Sequence, residues 1–390
     1  MTRSHSPHSE YSGERAAEAI IARRSRHRSR PSQRTAYIEY GALATAPGPL
    51  ICERARLYCF FVATDRARAQ QLCDRVFKQP TGGALRYLVP RLPGVILTFG
   101  TIAGLRSLHP AHAGRGSASE PEAAIWVPTI AQRFQDGHYV DDHLAIFMPY
   151  IWVDDPIAFA SGREVYGYPK TQGWMRRLGD PRPDKRRPGE AEVPDPPEEP
   201  VLDVYGVTEY GAGSDLGRQR LITVRRRGPR RGPPTTAGAG KPAEGGDLGS
   251  LITDLIAELD PSAGQDLALE ARRSLQSLRR PLTAARSRAS VLAGLMRDQV
   301  VHQVFLKQVR DAEAGELAAL QQVVEARSSV TPGSLKWRRL RGQFGLSVRP
   351  LASQPLEDEL GLSPEQTIKL AYAAEFGFRM EPGVVRWPCA

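Results

Sequence analysis

Up to about residue 225 the apolar positions fall in short runs separated by glycine, proline and aspartate, and only after residue 250 does a helical spacing take over. The run Arg56-Leu-Tyr-Cys-Phe-Phe-Val62 is aromatic and apolar and predicts a buried strand. Thr64 or Asp65 then stands where a helix cap belongs, with Ala67, Leu72, Val76 and Phe77 near one face of the helix that follows. Further strands are expected at 95–102, 123–130, 143–152 and 156–159, then at 201–210 and 220–224. Between these last groups, residues 180–200 have the proline-rich composition of an extended loop. Leu251, Ile252, Leu255, Ile256 and Leu259 repeat with helical spacing, as do Val291, Leu292, Leu295 and Met296. They predict a helical insertion whose stripes are packing faces. Strand patterns return at 304–309, 320–324 and 344–348, and one more helix is expected around 364–374.

Composition adds limits to this outline. A chain of 390 residues with 41% hydrophobic content can bury a substantial core. No run approaches the roughly 20 apolar residues of a membrane-spanning helix, and the N-terminal segment lacks the apolar centre of a secretory signal, so a cytoplasmic protein is expected. Cys52, Cys59, Cys73 and Cys389 form no CxxC pair, which suits a reducing compartment and gives no zinc pattern. The first three read as small buried apolar residues.

The net charge of +10 is concentrated in two places. Residues 1–34 carry eight arginines against three glutamates, and Arg225-Arg-Arg-Gly-Pro-Arg-Arg231 carries five arginines and no acid. Together they account for the whole excess, so the rest of the chain is balanced. Both are expected to be solvated and flexible, with at most weak, salt-sensitive contact to nucleic acid through the basic tail. The organisation expected is a disordered basic tail over 1–35, a folded domain made of 36–227 and 301–390, and a flexible linker with the helical insertion over 228–300.

The sharpest chemical signal is Ser161-Gly-Arg-Glu-Val-Tyr-Gly-Tyr-Pro-Lys170. Pro169 fixes its own φ and biases Tyr168 away from helix, which leaves Lys170 little local slack. Gly162, Gly167 and Gly173 permit close backbone approach, and Tyr166, Tyr168 and Trp174 offer apolar walls. A lysine attacks a ketone only as the free amine, and an apolar pocket favours the uncharged form. Most lysines are simply solvated surface charges, so the surrounding pattern carries the argument.

That pattern, extended to Ala158-Phe-Ala-Ser-Gly-Arg-Glu-Val-Tyr-Gly-Tyr-Pro-Lys170, resembles the signature of the acetoacetate decarboxylase family, in which Gly-Arg-Glu precedes a Tyr-Pro-Lys bearing a Schiff-base lysine. The resemblance extends more loosely over most of 50–225 and 300–388. It implies an α+β fold in which an antiparallel β-sheet closes into a cone-like barrel with flanking helices. It also implies a carbon–carbon lyase (carboxy-lyase) acting on a keto acid, homo-oligomeric assembly, and no organic cofactor or metal. Residue by residue, Lys170 matches the nucleophile, and Glu120 falls where the family places an acidic residue suited to proton transfer. Arg56, with Arg54 as the fallback, resembles the contact to the substrate carboxylate. Glu164 is expected as a catalytic or supporting neighbour, and Tyr166 and Tyr168 as substrate-facing walls.

Two departures widen the range of reactions. Thr171 stands where the family's decarboxylases carry a second lysine, and Gly100 stands where a second acid is expected. Imine formation survives both changes, so aldol condensation or dehydration is the alternative to decarboxylation. A catalytically inactive binding or scaffold protein on the same fold is the remaining alternative. His138, Asp141, Asp142 and His143 superficially suggest a metal site, but strand alternation would split them between two faces, and a turn of surface charges is expected there.

Overall fold

The computed structural model describes residues 37–38, 45–90, 94–177, 202–207, 218–227, 300–340, 342–368 and 370–387. The basic tail, the proline-rich loop, the 228–299 linker and insertion, and Cys389 lie outside the described residues. The unit spanning Leu43–Cys389 is dominated by strands.

Seven strands pair in a closed ring. In chain order they are β1 (Leu50–Val62), β3 (Val95–Ser107), β4 (Ala118–Gln135), β5 (His138–Val153), β9 (Val300–Arg310), β10 (Ala318–Val330) and β14 (Leu370–Met380). Around the ring β5 is followed by β9, β10, β14, β1, β3 and β4, and β4 pairs back with β5. The fold is therefore an α+β structure whose mainly antiparallel sheet closes into a barrel. The β5–β9 contact is parallel, with Ala145, Ile146 and Phe147 aligned to His302, Gln303 and Val304. A branch leaves β5 through β6 (Lys170–Arg177), also parallel to it, and continues through β7 (Leu202–Val207), β8 (Arg218–Arg227), β12 (Gln343–Val348) and β13 (Glu365–Ile368). Short strands β2 (Leu85–Leu88), β11 (Lys336–Arg339) and β15 (Val384–Trp387) pair with β4, β14 and β10.

Alternation along the strands separates two cores. On β4, Ile125 and Val127 belong to the larger one, while Ala124 belongs to the smaller. The larger core also contains Ile222, Val224, Leu346 and Val348 from the branch sheet, and Leu72 and Phe77 from the first helix, so it covers the outer face of the ring. The smaller core faces inward and gathers Ile151, Val153, Tyr166, Tyr168, Phe305 and Ala326.

Helix α1 (Arg66–Cys73) starts as its cap predicts. The Asp65 carboxylate accepts from Ala67 N at 2.8 Å and Arg68 N at 3.3 Å. A π turn, Asp74–Lys78, extends it. Its buried residues are Ala69, Leu72, Cys73 and Phe77, and Ala67 is exposed.

Four local expectations are corrected. Residues 156–159, expected as a strand, begin helix α2 (Pro156–Ser161). Asp155 caps it by accepting from Ala158 N at 2.7 Å, and Pro156 supplies a preset φ where no donor is needed. The helix expected at 364–374 is instead β13 and β14, because β14 is held between β1 on one side and β10 and β11 on the other, and pairing on both edges overrides alanine's helix propensity. Arg225–Arg227 are not a flexible run but the end of β8, where Arg225 lies 3.4 Å from Asp203 and Arg227 donates to Thr367 Oγ1 at 2.9 Å. His138–His143 form the start of β5 rather than a turn. Among the described residues, Cys52 and Cys73 are buried and Cys59 is half-buried, all three as free thiols. Burial pushes the Cys52 and Cys59 thiols up to about 12. No helix of the described residues is long and apolar enough to cross a membrane.

Candidate active site

Helix α2 runs directly into a second π turn, Gly162–Tyr166, which ends at Gly167 with φ +86°. A left-handed residue here reverses the chain, and glycine takes that conformation without a Cβ penalty. A Cβ at Gly167 would also lie 2.5 Å from the Lys307 Cα. The reversal carries Tyr168 and Pro169 back to the ring, and Lys170 enters β6 opposite Ile151 of β5. The Arg163 guanidinium secures the return by donating to the Lys170 carbonyl at 2.9 Å.

Lys170 is 6% exposed and points into the inner core. Its Nζ donates to Glu120 Oε1, and it lies 5.4 Å from the centre of the Tyr168 ring. Gly162 makes room for the side chain, since a Cβ there would sit 2.6 Å from Lys170 Cδ and 2.8 Å from Cε. Glu120 was expected just before a strand. It lies within β4, 2% exposed, on the same face as Ala124. Lys170 and Glu120, 50 positions apart in sequence, thus meet inside the barrel.

The residue that sequence reasoning missed is Glu122. It follows Glu120 by two positions, shares its face and is 8% exposed. Burial first, and the neighbouring Glu120 charge second, push its carboxyl up to about 8, against the opposing pull of Lys170. The i, i+2 spacing of two glutamates inside an apolar strand run was the available signal. In the ladder, Glu122 lies opposite Gly100. A side chain at Gly100 would collide with the Arg56 carbonyl and the Leu57 side chain, so β3 has no room for an acid at that position.

Two tyrosines line the same region. Tyr168 donates to Gln303 Oε1 and lies 3.2 Å from Met380 Sδ, with its ring 3.8 Å from that of Phe305. Tyr166 is 1% exposed and edge-on to Tyr168, and its buried hydroxyl has no hydrogen-bond partner. Burial raises both phenols above their ordinary range. The Tyr166 hydroxyl itself lies beside Gly48.

The other expected residues are not brought to Lys170. Arg56 shares the strand face of Tyr58 and Phe60, which belong to the outer core, and pairs with Glu375 across β1 and β14 at 2.7 Å. Arg54 and Glu164 are exposed. The Glu164 charge acts on Lys307, whose ammonium is held below its ordinary range by burial, with Glu164 opposing. Thr171 donates its hydroxyl to Ile151 O at 3.2 Å and places no cation beside Lys170.

No protein-family model and no curated protein matches this sequence. Among solved structures, an acetoacetate decarboxylase is 13% identical, with a TM-score of 0.44 over 88% of this chain and 91% of that one. The acetoacetate decarboxylase from Legionella pneumophila is also 13% identical, with a TM-score of 0.42 over 92% and 93%. The enduracididine biosynthesis enzyme MppR complexed with pyruvate is 12% identical, with a TM-score of 0.42 over 87% and 91%.

Proposed function

We propose that this chain is a Schiff-base-forming enzyme acting on a keto acid, with Lys170 as nucleophile and decarboxylation of acetoacetate or a related β-keto acid as its reaction. The observation that carries the reading is a lysine buried inside the barrel against one carboxyl, Glu120, beside a second, Glu122, that keeps its proton to about pH 8.

With Glu122 protonated, Lys170 and Glu120 form an ion pair of zero net charge. Moving the Nζ proton to Glu120 leaves three neutral groups, so the amine is freed without placing a net charge in an apolar interior. The amine then adds to the keto carbon, Glu122 protonates the departing hydroxyl, and water leaves with formation of an iminium. When the bond to the carboxylate breaks, its electron pair moves to the iminium nitrogen and carbon dioxide departs. The resulting enamine takes a proton at carbon from the carboxyl pair, and water hydrolyses the imine to release a ketone and restore Lys170. Tyr168 supplies an apolar wall beside Lys170, and Tyr166 backs that wall edge-on. Glu164, exposed, is left to a supporting role at the turn, and Arg56 is not given the carboxylate contact.

Thr171 and Gly100 favour a second reading, in which the same iminium loses a proton and the enamine attacks a carbonyl, as in aldol condensation followed by dehydration. Incubation with acetoacetate or pyruvate and borohydride, followed by peptide mass analysis, tests both. A reduced adduct on Lys170 is the expected result, and its absence with every keto acid offered leaves a binding or scaffold protein. Measuring carbon dioxide and new carbon–carbon bonds separately then distinguishes decarboxylation from condensation.

A further inference from the structure

On the outer face of the barrel, away from Lys170, three strands bring together a second cluster. His143 on β5, His302 on β9 and Glu325 on β10 present one ligand atom each, all within 4.8 Å of one another. The register produces this convergence. Ala145 is aligned with His302 across the parallel β5–β9 contact, and Glu325 lies opposite Val304, so the three side chains share the face of Ala145 and Val304.

We propose that His143, His302 and Glu325 form a site for a divalent transition ion of the zinc type, bridging the strands where β9 joins the ring. His302 Nδ1 lies 2.6 Å from Glu325 Oε1, and His143 Nε2 lies 3.1 Å from Glu325 Oε2. Ligand atoms on a tetrahedral zinc with bonds of about 2.0–2.1 Å are about 3.3 Å apart, so the His302–Glu325 pair must open and the two rings, with centroids 4.2 Å apart, must turn toward the ion. The His143 Nε2 atom is the independent pointer. It is buried and, despite its proximity to Glu325, lacks the alignment of a hydrogen bond. The opposite nitrogen, Nδ1, lies 3.2 Å from Asp142 Oδ2. A carboxylate behind an imidazole holds the proton on the far nitrogen and leaves the near lone pair for a metal.

Arg386 donates from Nε to Glu325 Oε2 and from Nη2 to Oε1, both at 2.9 Å. A carboxylate offers about four lone-pair positions, so this contact orients Glu325 and leaves the positions facing the two rings. Two imidazoles and one carboxylate are a ligand set suited to zinc, with a fourth position for water. His143 and His302 retain partial exposure, 19% and 18% for their side chains, which gives an ion an approach.

The test uses the full chain, stripped with chelator and returned to chelator-free buffer. Zinc is titrated calorimetrically, and cobalt is followed by its visible absorption. The expected result is saturable binding of one equivalent, with the intense bands of a four- or five-coordinate cobalt ion. Both His143→Asn and His302→Asn should weaken it at least tenfold. Binding unchanged by these substitutions would assign the ion to another histidine, such as His5, His8 or His27, and overturn the proposal. So would the absence of saturable binding below millimolar zinc. Should either variant fail to fold, the unsubstituted protein still decides, through diethyl pyrocarbonate modification mapped by mass spectrometry. Zinc should protect His143 and His302, and modification indifferent to zinc overturns the site.

Discussion

Two buried glutamates, one on each face of the barrel, show how differently the same side chain behaves. Glu325 on the outer face is well supplied with polar partners: the Arg386 guanidinium donates to both oxygens, and the His302 and His143 rings lie beside it. These contacts outweigh burial and hold its carboxyl far below the ordinary range. Glu122 on the inner face has burial and the charge of Glu120 against it and only Lys170 in favour, and it rises to about 8. A buried acid supplied with partners ties strands together. One left short of them retains a proton at neutral pH and can transfer it, the condition expected where chemistry is done.

The largest effect expected is on the inner face. Lys170→Ala should abolish the borohydride-trapped adduct and lower turnover by at least about three orders of magnitude. Substrate depletion and intact mass check this together, and undiminished turnover would remove the inner cluster from the chemistry.

The same isosteric change on the two faces should then have opposite signs. Glu325→Gln removes the charge that Arg386 answers and should destabilise the fold by about 3 kcal/mol, measured as a lower denaturant midpoint with an unchanged slope. Glu122→Gln should instead stabilise it at alkaline pH. Its folded carboxyl titrates at about 8 rather than the ordinary 4.5, so the native state holds the proton more tightly than the unfolded chain. Wild-type stability should therefore fall between pH 4.5 and 8 through this group, by on the order of a few kcal/mol, with no further contribution above that window. Denaturant titrations across pH should show this decline flattened in Glu122→Gln. An equally steep decline would mean that Glu122 is not the group responsible.

The smallest effect separates a surface ion pair from both clusters. Arg56 and Glu375 have side chains 23% and 36% exposed, and Arg56→Ala should cost less than about 1 kcal/mol. A loss of substrate affinity well beyond that, measured as KM against kcat, would return Arg56 to the carboxylate-binding role its sequence position suggested.

How far these features could be read in advance depended on whether their cause was local. The strands at the heart of β1, β3, β4 and β5 are visible as aromatic and apolar runs because each is buried on both sides. The Asp65 cap was legible for the same reason, since it acts within three residues. Residues 156–159 misled because four apolar-rich residues suit a strand or a helical turn equally, and Asp155 with Pro156 decides between them. Residues 364–374 misled because the cause of strand there is supplied by β1, β10 and β11, which the segment itself does not encode.

The amino-acid order alone determined that Lys170 follows a tight, glycine-bounded turn among aromatic residues, because backbone restriction by proline and glycine acts between neighbours. Only the closed ring decided which acids meet that lysine, which histidines meet Glu325, and that Arg56 looks outward. Those outcomes depend on strand register, and in a barrel a shift of one residue exchanges the inner face for the outer.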